Sequence, residues 1–251
     1  MSANRILLIL WLVASFALFV MPFFEVDETF RLYYSNAGQV FITLGSAFIC
    51  FRTMNAFPSD SALNRVWFAI AGGVLSWGVA AAIFASYPIM NGNADTPYPY
   101  FSDIFYLLTE VLIITGLLLF MRSAGLVAPL WGKLIAVGTL IVSGYFAYGA
   151  NAEGLADPGM ATNLAALGYF VLDPILVSVA LLTASSFRSG NVAVSMWYVV
   201  AGVLLFYIGN QMYTYLLSIE HYVTGSPIDA FWLLGFGLIA CGAVKARKMI
   251  S

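Results

Sequence analysis

The chain has 251 residues, of which 62% are apolar and only 9% charged, with a formal net charge of −2. Soluble domains carry about a quarter charged residues, so this composition excludes a water-soluble fold, and no stretch is basic enough to bind nucleic acid. The length suffices for eight bilayer crossings of about 20 residues each and leaves little for anything else.

Apolar runs fall near residues 5–24, 34–51, 66–87, 104–121, 133–150, 162–183, 194–217 and 228–245. Hydrocarbon offers backbone groups no water, so runs of this length are predicted to be transmembrane α-helices. The alternating ten-residue segments of a membrane β-barrel do not occur. The first run follows Arg5 and is longer than a signal core. No small-residue cleavage site follows it before Glu25-Val26-Asp27-Glu28, so a retained helix is expected. Cys50 and Cys241 are read as packing residues rather than a disulfide or metal pair.

Charge alternates along the connections. Arg5, Arg52, Arg65, Arg122, Lys133, Arg188, Lys245, Arg247 and Lys248 fall on one side of an eight-span arrangement and only Arg31 on the other. Glu25, Asp27, Glu28, Asp95, Asp103, Glu153, Asp157, Glu220 and Asp229 gather on that other side. The positive-inside bias then predicts a multi-pass membrane protein with lipid on its flanks, both termini cytoplasmic and the acidic loops outside.

Two segments repeat. Asp103-Ile104-Phe105-Tyr106-Leu107-Leu108 is matched 126 residues later by Asp229-Ala230-Phe231-Trp232-Leu233-Leu234, with Gly116 and Gly242 thirteen residues after each aspartate. At an offset of 130, Trp67, Phe68, Gly72, Leu75 and Trp77 fall opposite Trp197, Tyr198, Gly202, Leu205 and Tyr207. The expected fold is therefore all-α, with two tandem four-helix halves, 1–125 and 126–251. An even number of helices per half implies a pseudo-twofold axis along the membrane normal. Gly72, Gly73, Ala80, Gly235, Gly237 and Gly242 suit close helix approach.

The segment Pro97-Tyr98-Pro99-Tyr100-Phe101-Ser102-Asp103-Ile104-Phe105-Tyr106-Leu107-Leu108 resembles the P-Y-P-S-x-A-D-x-F-Y-L signature of a bacterial multi-helix membrane input module. That module precedes diguanylate cyclase and sensor kinase domains. Trp77-Gly78-Val79 and Tyr207-Ile208-Gly209-Asn210 resemble the W-x-x-G-D-x-x-W motif of its preceding helix. Val79 and Asn210 stand where that motif has aspartate, and Tyr100 replaces the serine of the first signature. The resemblance implies a sensory or scaffolding membrane module. The sequence ends at Lys248-Met249-Ile250-Ser251, so the module is expected to act without an output domain, through a partner membrane protein.

Two carboxylic acids lie inside the spans. Glu110 follows Asp103 by seven residues and shares its helical face, about 10 Å along the axis. Asp173 sits near mid-span before Pro174, which lacks an N–H and frees a carbonyl. An unpaired intramembrane charge costs about 2.5–3.5 kcal/mol on insertion scales, so both are expected to face the bundle interior. One reading is a ligand pocket open to the outer side, built from Glu110, Asp173, Asn210 and Gln211 with walls of Trp77, Tyr106, Tyr213 and Trp232. The other is interhelical hydrogen bonding that fixes the packing. Ser226-Pro227-Ile228-Asp229 has the form of a capping box, and Asp103 falls in a first helical turn where an anion is favoured. Tyrosines crowd the outer interface, as an aromatic belt or as a stacking vestibule.

No lysine lies within a span, and His221 is the one histidine. A retinal Schiff base and a bis-histidine haem therefore lack their attachment points. Metal-ligand spacings, a phosphate loop and a Ser/His/Asp set are absent too, so neither a catalytic residue, a metal nor a cofactor is predicted. The leading expectation is a non-enzymatic sensory or scaffolding module, an accessory subunit working through a partner. The alternatives are a small transporter or channel using Glu110 and Asp173, and a protein that binds a pigment or quinone by shape.

Overall fold

Each apolar run is helical in the computed structural model, which describes residues 3–187 and 191–249. The helices are α1 (Ala3–Val20), α2 (Glu28–Met54), α3 (Ala62–Met90), α4 (Ser102–Ser123), α5 (Leu130–Ala156), α6 (Met160–Ser185), α7 (Asn191–Ser218) and α8 (Asp229–Arg247). A 3-10 turn, Met21–Phe24, continues α1, and no strand occurs among the described residues. The helices outrun the apolar runs because their caps sit in polar loops. Asp27 accepts from the Phe30 N–H at 3.0 Å to start α2, and Ser61 accepts from Asn64 at 3.1 Å to start α3. Seven helices, α2 to α8, are long and apolar enough to cross a membrane. Their outward faces carry side chains such as Phe41, Phe68, Ile141 and Phe146, which suit lipid contact and not water. Arg188 lies outside the described residues, as does the side chain of Arg5.

Six helices close a ring in which α2 packs on α3, α3 on α4, α4 on α6, α6 on α7, α7 on α8 and α8 on α2. The outlying α5 leans on α6 and α7, and α1 on α8 and α2. Basic residues Arg52, Arg65, Arg122, Lys133 and Lys245 lie at the end of the bundle where α2, α4 and α8 finish and α3 and α5 begin. Loops 91–101, 157–159 and 219–228 meet at the opposite, acidic end.

Glycines set how closely the ring helices approach. A Cβ on Gly73 would lie 3.1 Å from the Thr109 carbonyl oxygen and 2.9 Å from Ile113, and one on Gly116 would meet Ile70 and Val66. In α7 and α8, Gly202 would meet Gly235 and Ile239, and Gly242 would meet Ser195 and Val199. The two crossings place their glycines alike, Gly73 and Gly202 being 129 residues apart and Gly116 and Gly242 126. Trp67 is buried, whereas Trp197 is 49% exposed.

The α1 helix docks through Trp11, whose Nε1 donates to the Leu233 carbonyl at 2.8 Å while its ring covers Gly237. A Cβ there would fall about 2.0 Å from the indole. Gly237→Ala is therefore expected to undock α1 with the ring intact, read as faster proteolysis near residues 20–27 at an unchanged melting temperature of the remaining bundle. Unchanged proteolysis would mean that Trp11 does not anchor the helix.

Candidate ligand cavity and carboxylate network

The acidic end of the ring holds a cavity of about 280 Å³. It forms because up-and-down helices bring the C-terminal turns of α3, α5 and α7 beside the N-terminal turns of α4, α6 and α8. Trp77, Tyr106, Tyr213 and Trp232 supply its aromatic walls and Asn210 reaches it from α7. Trp77 is the hub of the aromatic floor, with its ring centroid 4.3 Å from Tyr106, 4.9 Å from Phe206 and 5.7 Å from Trp232. Its indole Nε1 is buried without a hydrogen-bond partner.

Below the cavity lies a polar network that joins four helices. Asn210 Nδ2 donates to Asp173 Oδ1 at 2.9 Å and to Glu110 Oε1 at 3.3 Å. Its own oxygen accepts from Trp232 Nε1 at 2.9 Å, and Gln211 Nε2 donates to Asp173 Oδ2 at 2.9 Å. Asp173 is 1% exposed and Glu110 is fully buried. Asn210 bridges the two acids, and the second carboxyl oxygen of Glu110, Oε2, is buried without a hydrogen-bond partner. Among the described residues, Asn210 is the one side chain that both lines the cavity and bonds to the two acids.

The eight predicted pocket residues are thus brought together, but in two tiers. Trp77, Tyr106, Asn210, Tyr213 and Trp232 line the cavity, whereas Glu110, Asp173 and Gln211 sit beneath it. Asp103, expected to serve the helix start, does so by accepting from the Tyr100 N–H at 2.7 Å. It also lines the cavity and accepts from the Tyr169 hydroxyl at 2.6 Å.

The predicted capping box is not formed at Ser226. Its hydroxyl is buried with no partner, and α8 begins at Asp229 with Ile228 in the cap position. The chain enters α8 through successive i→i+3 bonds, including Asp229 N–H to the Ser226 carbonyl at 3.1 Å, so the backbone of Ser226 does what its side chain was expected to do. Asp229 instead accepts from the Gly225 N–H at 2.8 Å, from Ser35 Oγ at 2.6 Å and from the Tyr222 hydroxyl at 3.1 Å. Two aspartates at helix starts therefore each take a hydroxyl from the next helix of the ring, Asp103 from α6 and Asp229 from α2.

Sequence reasoning missed Gln39, Tyr98, Tyr169 and Tyr222 as cavity residues. For α2 the signal was present. Ser35, Gln39, Thr43 and Ser46 recur at helical spacing within an apolar run and are all buried, which marks a face turned into the bundle. For the tyrosines the signal was ambiguous, since an interfacial belt and a cavity wall use the same residue. In the loops, burial raises the Tyr98 phenol, with a further push from Asp103, and burial followed by Asp229 raises that of Tyr222. Both remain neutral donors near neutral pH. Among the described residues no group of three or more His, Cys, Asp or Glu side chains is placed to hold a metal ion.

Comparison with protein-family models, curated proteins and solved structures returned no match. The functional reading of the cavity rests on its own geometry.

Proposed function

We propose that this chain is a non-enzymatic membrane sensory module that takes a small ligand at its acidic end and passes the event to a partner membrane protein. The carrying observation is the position of Asn210. A molecule entering the cavity meets a side chain that also bonds to α4, α6 and α8. Occupancy that turns Asn210 therefore changes how three other helices are held, and a buried network has few alternative arrangements. The residues that resemble the input-module signature, among them Tyr98, Asp103 and Tyr106, converge on this cavity.

In this reading the protein crosses a bacterial inner membrane eight times, α1 included, with the acidic end and cavity outside and both termini in the cytoplasm. Two tandem halves, 1–125 and 126–251, are supported by the ring itself. Advancing every member by four helices maps α2, α3 and α4 onto α6, α7 and α8 and returns the same neighbours. The paired glycine crossings and the Asp103–Tyr169 and Asp229–Ser35 bonds obey the same exchange. The peripheral α1 and α5 do not, since α5 packs on α6 and α7 while α1 packs on α8 and α2.

Purification from native membranes in mild detergent is expected to retain a second membrane protein; recovery of a lone monomer would overturn the partner. Cysteines placed at Asn93 and Lys248 are expected to react with an impermeant maleimide from opposite faces of sealed cells and inverted vesicles. Reaction from one face would overturn the topology.

A transport reading draws on Glu110 and Asp173, two buried acids bridged by Asn210. Against it, α6 runs unbroken through Pro174 and the aromatic floor separates the cavity from the basic end. Proteoliposome flux abolished by Glu110→Gln or Asp173→Asn would favour transport over sensing.

A further inference from the structure

We infer that the cavity recognises a small organic cation, of the size and chemistry of a quaternary ammonium. This rests on the reading of the cavity as a ligand site and names the class of ligand. The lining contains three carboxylates, Asp103, Glu153 and Asp157, and no lysine, arginine or histidine. No cation offsets Asp103, whose partners are the neutral Tyr169 hydroxyl and a backbone N–H. An anionic ligand would be repelled here. A neutral one would leave the charge uncompensated in a partly desolvated site.

The rings around Asp103 favour the same class. Trp77, Tyr106, Tyr213, Trp232, Tyr98 and Tyr169 present aromatic surface to the cavity, and Tyr213 packs against Trp232 with centroids 5.8 Å apart. Aromatic faces attract ammonium groups electrostatically, most strongly when the pair is removed from water. Such walls solvate a weakly hydrated organic ammonium better than a metal ion, which demands oxygen ligands in a tight shell.

Trp77 lines the cavity with its ring, while its Nε1 is closed off and has no partner. Size sets the upper limit, since about 280 Å³ lies just below the range of roughly 300–1,000 Å³ typical of drug-sized ligands. Glu153 and Asp157 are exposed at the mouth, where they draw cations in from solution.

The test uses the purified full chain in lipid nanodiscs, with calorimetry and tryptophan fluorescence as readouts. The probes are choline, tetramethylammonium, the uncharged isostere 3,3-dimethylbutan-1-ol, and glycine betaine, whose carboxylate opposes Asp103. Choline is expected to bind at least tenfold more tightly than the isostere or betaine. Asp103→Asn should weaken choline at least tenfold. The paired rim variant Glu153→Gln with Asp157→Asn, at exposed positions, should slow association and flatten its salt dependence. Tighter binding of the isostere or betaine than of choline would overturn the inference and leave the cavity a ligand site of another class. No binding of any probe, charged or neutral, would overturn the sensory reading with it.

Discussion

Asn210→Leu is expected to destabilise the bundle by on the order of 3 kcal/mol. It also removes the link that Asn210 makes between the cavity and the acids beneath it. The side chain bonds to Asp173, Glu110 and Trp232, three partners on three helices. Interhelical hydrogen bonds in membranes average about 0.6 kcal/mol each, so the bonds alone account for about 2 kcal/mol. The remainder comes from leaving a carboxyl and an indole N–H buried and under-partnered. Gln211→Leu breaks one bond and should cost about 0.6 kcal/mol. Reversible unfolding in mixed detergent measures both. A second readout is specific to the network: Trp232 fluorescence should shift in Asn210→Leu and stay fixed in Gln211→Leu. Equal destabilisation by the two variants would mean that Asn210 is one packing residue among many.

A loss of similar size is expected at Gly202, where α7 and α8 meet backbone to backbone. A Cβ there would stand 2.4 Å from the Gly235 carbonyl oxygen and 2.8 Å from Ile239, and no flexible side chain can yield on the Gly235 side. Gly202→Ala should cost about 1–3 kcal/mol by forcing the helices apart, and Gly202→Leu should leave little folded protein. Gly138→Ala on α5 is the control. Nothing lies within 4 Å of its Cβ, so the change should be neutral or stabilising by up to about 1 kcal/mol from helix propensity. Monodisperse yield and detergent melting temperature report both. A Gly202→Ala protein as stable as Gly138→Ala would remove close α7–α8 packing as the basis of the ring.

Much of the site was legible because lipid makes polar side chains conspicuous. Glu110, Asp173, Asn210 and Gln211 stand out in apolar runs, and the cost of burying them unpaired predicts that they meet. What the runs conceal is depth and rotation. Whether an aromatic lines a cavity or faces lipid depends on a helix's rotation, and low sequence amphipathicity leaves that angle open in lipid. Trp67 and Trp197 occupy neighbouring sequence contexts, yet one is buried and the other meets lipid. Ser226 failed for a related reason. Its motif was correct for a cap, but the approach of the chain to α8 put the backbone where the side chain was expected.

Hydropathy and loop charge together specified helices rather than strands, the apolar stretch at the centre of each, and which end of the bundle is basic. These are local or one-dimensional properties, because backbone pairing in hydrocarbon is satisfied within each helix. The ring order, with α4 against α6 and α8 against α2, is different in kind. So are the two-tier arrangement of Asn210 over Glu110 and Asp173 and the orphaned indole of Trp77. Each depends on which faces of separate helices meet, and that is settled by glycine contacts and buried polar partners far apart in the chain, which no single run encodes.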